Sequence, residues 1–152
     1  MVTVVDFLDN LKMVDVKSIT ETIISENEHE IVDLNRYDQI FVKGIDADGR
    51  SLANYAPATQ GIYDSDPPLD LFGENKSTAQ TYNMFWTGDS YHAFRAYVKG
   101  DKLYITTSPR GRKLLIQNHN DSIFGLVTEN QEKVNYEIIA PRLNEKIRGI
   151  LF

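Results

Sequence analysis

The chain has 152 residues, 41% of them hydrophobic and 25% charged, with no cysteine and a formal net charge of −6. That length suits one domain with one core, and this balance of apolar and charged residues excludes a chain that is disordered throughout. Disulfides and thiolate zinc sites are excluded for want of cysteine. The opening Met1-Val2-Thr3-Val4-Val5-Asp6 lacks the basic, apolar and small-residue regions of a signal peptide, and no run approaches the roughly 18 apolar residues of a membrane span. The expectation is a soluble protein made in a cytosol, with no membrane partner.

Charge is divided along the chain. Residues 1–80 hold 6 Lys/Arg and 15 Asp/Glu, net −9, whereas residues 81–152 hold 10 and 7, net +3. Two readings stand: solvated faces patterned by chance, or an acidic face of one copy meeting a basic face of the next, as head-to-tail packing favours.

In chain order, Val4, Val5, Phe7, Leu8 and Leu11 predict a short amphipathic helix ending near Asp15. Ser18-Ile19-Thr20-Glu21 has the form of a capping box, and Ile19, Ile23, Ile24, Ile31, Leu34 and Phe41 then recur at helical intervals, predicting a long acidic helix over 17–41 with a polar middle from Ser25 to Glu30. Gly44 ends it. Asp48-Gly49 predicts a two-residue hairpin turn, with Asp46 opposite Ser51 and Ile45 opposite Leu52.

Ala56 to Gln80 has neither a helical nor a strand period, and Pro57, Pro67 and Pro68 remove backbone donors and fix φ. Unstructured connections longer than about 12–15 residues are uncommon inside domains and are usually functional or disordered. Its apolar residues Ile62, Tyr63, Leu69, Leu71 and Phe72 have no periodic element to carry them and need a surface on which to lie. With Pro67 and Pro68 they form the candidate partner interface.

A second hairpin is better specified. With Gly100-Asp101 as its loop, Val98 faces Leu103, Tyr97 faces Tyr104 and Ala96 faces Ile105, so Ala96, Val98, Leu103 and Ile105 share one face and the two tyrosines pair on the other. The tyrosine pair implies a cover for that second face too. Arg112 to Asn118 predicts a short helix and Ile123-Phe124-Gly125-Leu126 a buried turn. Thr128-x-x-Gln131 reads as a second capping box, opening a helix with Val134, Ile138, Leu143, Ile147 and Leu151 at near-helical spacing and a kink at Pro141. The order predicts a single α+β domain over 1–152: a long N-terminal helix and a C-terminal helix packed on a small antiparallel sheet of hairpins, with 56–80 as an extended irregular loop.

No constellation of side chains points to catalysis. His29 stands among glutamates as a solvated histidine. Asp89, Ser90 and His92 lie close in sequence, but a hydrolase needs them brought together beside an oxyanion hole. His119 and Asp121 make only two of the ligands a metal requires. Asp46-Ala47-Asp48-Gly49 departs from a calcium loop, whose Gly stands sixth and whose bidentate Glu stands twelfth. The expectation is therefore no enzyme, no cofactor and no metal.

Arg110-Gly111-Arg112-Lys113 is the one compact basic cluster, with Arg95, Lys99 and Lys102 as neighbours across the hairpin. Three roles are open to Arg110, Arg112 and Lys113: incidental DNA contact through phosphates, contact with a protein partner such as the acidic helix of a neighbour, and solubility. Tyr82, Phe85, Trp86, Tyr91 and Phe94 crowd into a short stretch that reads as core, in part as partner anchor.

The succession Phe41-x-x-Gly44-Ile45-Asp46-x-x-Gly49-x-Ser51-Leu52-x-x-Tyr55-x-Pro57-x-Thr59, then Thr87-Gly88-Asp89-x-Tyr91-x-x-Phe94, then a hairpin and Phe124-Gly125-Leu126 before a last helix, resembles small structural proteins of tailed phages and prophages. It looks most like the group from phages of Bacteroides-type hosts, and more loosely like virion-morphogenesis and tail-completion proteins of the neck. The resemblance covers about residues 38–150. It implies a non-enzymatic virion component made in the bacterial cytoplasm, a head-to-tail connector or neck protein working as a ring of identical subunits with other neck, portal or tail proteins as partners; another tail or capsid accessory protein, and a host-directed binding module using the exposed aromatics, are the alternative readings. It also implies that Gly44 to Thr59 and Thr87 to Phe94 are framework for the fold and the ring contacts.

Overall fold

The computed structural model describes residues 4–52, 54, 61, 65 and 92–152. The fold is α+β, as expected. Helices α1 (Val4–Lys12), α2 (Val16–Glu26) and α3 (Glu28–Asp33) lead into a π-helical segment, Leu34–Val42; strands β1 (Arg95–Lys99) and β2 (Lys102–Thr106) form a hairpin. Helix α4 (Pro109–His119), a 3₁₀ turn (Asp121–Phe124), helix α5 (Thr128–Lys133), a second π-helical segment (Val134–Ile139) and helix α6 (Ala140–Leu151) complete the described chain. Ile24, Ile31, Val32, Ile40, Phe94, Ala96, Ile105, Ile123, Phe124, Leu126, Val134 and Ile138 meet in one apolar core.

The long acidic helix is divided where its sequence is most polar. Both the backbone N–H and the side-chain Nδ2 of Asn27 donate to the Ile23 carbonyl (3.1 and 2.7 Å). An Asn amide that competes for backbone acceptors in this way closes one helix and starts another. Ser18 is not the cap; Asp15 is, its carboxylate accepting the Ser18 N–H at 3.1 Å. The break has a consequence for the sheet, because Glu28 Oε1 accepts the N–H of Ala96 on β1 (3.1 Å).

The π-helical segment ends at Gly44, whose φ of 61° suits a residue without Cβ. Ile45 N–H reaches back to the Gln39 carbonyl (3.1 Å) and Gly44 N–H to that of Ile40 (3.2 Å). This is a Schellman closure widened by one residue, as a π-helical end demands. The following turn holds three residues rather than the expected two. Ile45 pairs with Ser51, Asp46 N–H donates to the Arg50 carbonyl (2.9 Å), and Gly49 takes φ 75°. The register is thus one residue away from the expected pairing, because Asp46 gathers the turn around its own carboxylate.

The β1–β2 hairpin has the register read from the sequence: Ala96 opposite Ile105, Tyr97 opposite Tyr104, Val98 opposite Leu103. Its inner face meets α2 and α3. The cover expected over the outer face is not supplied by the described residues, among which Tyr97 and Tyr104 are 46% and 40% exposed.

Pro141 stands in the first turn of α6, directly after the π-helical segment. Ala140 N–H bonds back to the Asn135 carbonyl, and the Glu137 carbonyl, which the missing proline N–H leaves free, accepts from Arg142 Nη1 at 3.2 Å. The second capping box is not made either: Val127 is the N-cap, and Gln131 Nε2 donates instead to the Leu126 carbonyl (2.6 Å). Of the residues 56–80, only Gly61 and Ser65 are described; both are helical and exposed, Ser65 Oγ donating to the Gly61 carbonyl (3.1 Å), and the remainder of the expected irregular span lies outside the described residues.

Gly125 sits where two loops touch. A Cβ there would stand 2.6 Å from the Ala47 Cβ, closer than packed carbons tolerate. Gly125→Ala is expected to lower stability in urea titration by about 1–3 kcal/mol, the range for overpacking, with most of the loss recovered in an Ala47→Gly background. Additive effects of the two substitutions would show that the loops do not press on one another.

Candidate functional site

Three features of the described residues are built by contacts distant in sequence: a buried carboxylate, an apolar groove and an aromatic sheet face. The first lies in the 46–50 turn. Asp46 is 4% exposed, and its Oδ1 accepts the N–H groups of Asp48 and Arg50 (both 2.9 Å) while its Oδ2 accepts from Ser122 Oγ (2.8 Å) and Arg50 Nε (3.0 Å). Burial pushes this carboxyl up, but the Ser122 hydroxyl, the Arg50 and Asp48 N–H groups and the Arg50 guanidinium outweigh it and hold the acid below its ordinary value. Asp46 is an anchor between two segments 76 residues apart in sequence, with its lone pairs already engaged.

Behind that anchor, three amide side chains without solvent exposure fasten the segment after the 3₁₀ turn. Asn35 Nδ2 donates to the carbonyls of Ile123 and Gly125 (3.0 and 2.8 Å), and Gln39 Nε2 also donates to Gly125 (3.0 Å) while its Oε1 accepts from Val127 N–H (2.9 Å). Asn130 Nδ2 donates to the Leu34 carbonyl (2.7 Å) and to Asp38 Oδ2 (3.1 Å). A surface network continues from there: Lys43 bridges Asp38 and Glu129 (3.0 and 3.4 Å). The hydrogen bond to Asp38 raises the lysine's pKa.

The groove opens beneath the loop end of the hairpin. It has a volume of about 610 Å³, within the range of small-ligand or side-chain sites. Its floor is Ile24, Val98, Leu103, Leu126, Val134 and Ile139, and its rim carries Lys17, Glu21, Lys102 and Asn135. The groove is apolar with a charged mouth, suited to an apolar side chain more than to chemistry.

The third feature is the outer sheet face. Arg95, Tyr97 and Lys99 alternate outward along β1, and Lys102, Tyr104 and Thr106 along β2. The two tyrosine rings stack, with centroids 5.6 Å apart and planes 15° from parallel.

The residues singled out from the sequence fall as follows. Ile62, Tyr63, Pro67, Pro68, Leu69, Leu71 and Phe72 lie outside the described residues, as do Trp86 and its aromatic neighbours apart from Phe94, which is buried in the core at 5.8 Å from Phe124. Arg110 and Lys113 are exposed on α4. Arg112 is engaged within the chain: its guanidinium lies 5.1 Å over the Phe124 ring and bonds to Asp121 (2.9 Å) and Thr106 Oγ1 (3.4 Å). Asp121 is therefore turned to an arginine. His119 is half-buried, and burial lowers its pKa. His29 and His92 are exposed. Among the described residues no group of three His, Cys, Asp or Glu is placed to hold a metal ion, and no helix is long and apolar enough to cross a membrane. The buried amides and Asp46 escaped sequence reasoning as site residues, because their partners lie far away along the chain.

Because the folded-state pKa of Asp46 is depressed, its contribution is complete above the unfolded carboxyl value near 3.9 and is lost as pH falls through the folded value. Acid titration of stability is expected to show a decline below about pH 4 that Asp46→Asn flattens, at a cost of about 1.5–3 kcal/mol at neutral pH; an unchanged acid limb in the variant would remove Asp46 from this role. Comparison of the chain with protein-family models, curated proteins and solved structures found no match in any of the three.

Proposed function

We propose that the chain is a non-enzymatic structural subunit of a tailed-phage virion, a head-to-tail connector or neck ring protein that works by self-association. The observation that carries this reading is a pair of surfaces on one molecule. An open apolar groove lies at the hairpin loop, and a separate apolar strip is exposed where α1 meets α2: Leu8 (49%), Leu11 (48%), Met13 (72%) and Val16 (48%). Isolated exposed apolar residues are ordinary, but a contiguous patch marks an interaction site. A strip on one copy seated in the groove of the next is a heterologous contact, which closes into a ring when the rotation permits. The resemblance of residues 38–150 to small structural proteins of tailed phages supports the setting, and the framework role it implies for Gly44 to Thr59 agrees, at the described Asp46, with a turn tied down by Ser122 rather than open to a substrate.

Light scattering during size-exclusion chromatography is expected to find oligomers that grow with concentration. Leu11→Asp/Met13→Asp, on exposed positions, and Asn135→Trp, at the groove mouth, are each expected to give monomers with an unchanged thermal transition. Mixed one to one, the two variants retain one good strip and one good groove and should pair as dimers. A wild-type monomer at the highest attainable concentration, or variants that fail to pair, would overturn the assembly mode; mass spectrometry of purified virions tests the setting, and a virion without the chain removes it.

A further inference from the structure

The outer face of the β1–β2 hairpin has chemistry that, Lys102 at the groove rim apart, self-association through the groove does not use. The face is a short strip, about 14 Å long for five residues at strand rise. Its centre is the stacked Tyr97–Tyr104 pair, exposed to nearly half of each ring's residue surface. Cations flank the stack at both ends: Lys99 and Lys102 beside the turn, Arg95 and, reaching Thr106, Arg112 at the other.

The two ends differ. Arg95 donates to the carbonyls of His92 and Phe94 (3.2 and 2.7 Å) and approaches Glu28 at 4.0 Å, and Arg112 pairs with Asp121 at 2.9 Å. Those guanidinium groups are held in place. Lys99 and Lys102 are exposed and make no ion pair among the described residues, with Asp101 in the turn as the carboxylate nearest in sequence. A chain of net charge −6 thus presents one face on which the outward charged side chains are all cationic and the middle is a pair of flat rings.

We propose that this face binds single-stranded nucleic acid, its bases stacking on Tyr97 and Tyr104 and its phosphates on Lys99, Lys102 and Arg95. The charge complementarity selects a polyanion. The exposed aromatic rings select one with π-faces to offer, and bases stack on aromatic side chains of an open sheet face without need of a sequence code. An acidic helix of a second copy is the less favoured occupant, because the acids of α2 and α3 are already met within the chain: Glu26 by Lys146 (2.8 Å), Glu30 by Arg142 (3.4 Å) and Asp33 by Arg36 (2.8 Å).

The test is fluorescence anisotropy of a labelled oligothymidylate of about 20 nucleotides, titrated with the full chain. Saturable binding is expected in the micromolar range at low salt, weakening about 20-fold between 50 and 200 mM salt for three neutralised phosphates. Tyr97→Ala and Tyr104→Ala should each weaken it about 10-fold with the salt slope unchanged, while Tyr97→Phe retains it. Lys99→Gln and Lys102→Gln should each reduce the salt slope by about 0.7. The Leu11→Asp/Met13→Asp variant should bind as wild type, which separates this proposal from the assembly mode above. Absence of binding at about 100 µM protein, tyrosine variants that bind as wild type, or a duplex that competes as well as the single strand would each overturn it. So would tyrosine variants that lose self-association while the oligonucleotide remains unbound, since the face would then serve a protein.

Discussion

The carbonyl of Gly125 receives two buried amide donors, from Asn35 and Gln39, and the arrangement of the molecule follows from that clasp. The stretch from Gly125 to Val127, between the 3₁₀ turn and α5, is irregular and partly buried, so its backbone groups have no ladder to join. Buried backbone groups left without partners are costly, and side-chain amides on the π-helical segment 34–42 take the place of a neighbouring strand. The clasp fixes Phe124 against Phe94, sets Leu126 in the floor of the groove and holds Ser122 where Asp46 can accept from it. It also has a cost. The Oδ1 atoms of Asn35 and Asn130 are buried and accept no hydrogen bond from the described residues, an expense of order 1–3 kcal/mol each that the remaining bonds must offset.

The division of charge along the chain is largely answered inside it. Lys146 and Arg142 on α6 reach Glu26 and Glu30, Arg95 approaches Glu28, and Lys43 reaches Glu129. These are partly exposed pairs, each worth little to stability, so their importance lies in what they leave over. The C-terminal half supplies more cations than the helices consume, and among the described residues the surplus stands at the hairpin loop, on α4 and near the end of α6, at Lys99, Lys102, Arg110, Lys113 and Arg148. An acidic-to-basic contact between copies is therefore less favoured as the driving force of assembly than the apolar strip and groove.

What was legible in the sequence and what was not divides by the range of the interactions. The β1–β2 register was readable because strict alternation from Ala96 to Ile105 leaves one pairing that buries a single face, and that pairing is observed. The core faces of α2 and the C-terminal helix were readable for the same reason, with Ile23, Ile24, Val134 and Ile138 all buried. The three-residue turn at Asp46 was not, because the Asp48-Gly49 pair predicts its own local turn while the carboxylate that wins is bound to Ser122, 76 residues on. The π-helical turns were illegible too: Asn35 and Gln39 look like ordinary polar positions until the carbonyls they serve arrive from 86 to 90 residues away. At Asn27 the chemistry was local, and the break was foreshadowed by the polar run from Ser25 to Glu30.

The hairpin decides which kinds of association are open to the molecule. An exposed strand edge invites pairing with another copy through backbone groups, and folded proteins block it. On β1 the Glu28 carboxylate takes the Ala96 N–H, so the break at Asn27, which places Glu28 at the head of α3, also closes that edge. With strand addition obstructed there, specificity passes to side chains on the two faces. The inner face is packed against α2 but leaves space at its loop end, and only an apolar group matches that space. The outer face carries its own tyrosine stack, fringed with amines. One hairpin thus carries two chemistries on its two faces, with Lys102 shared between the rim of the groove and the outer strip.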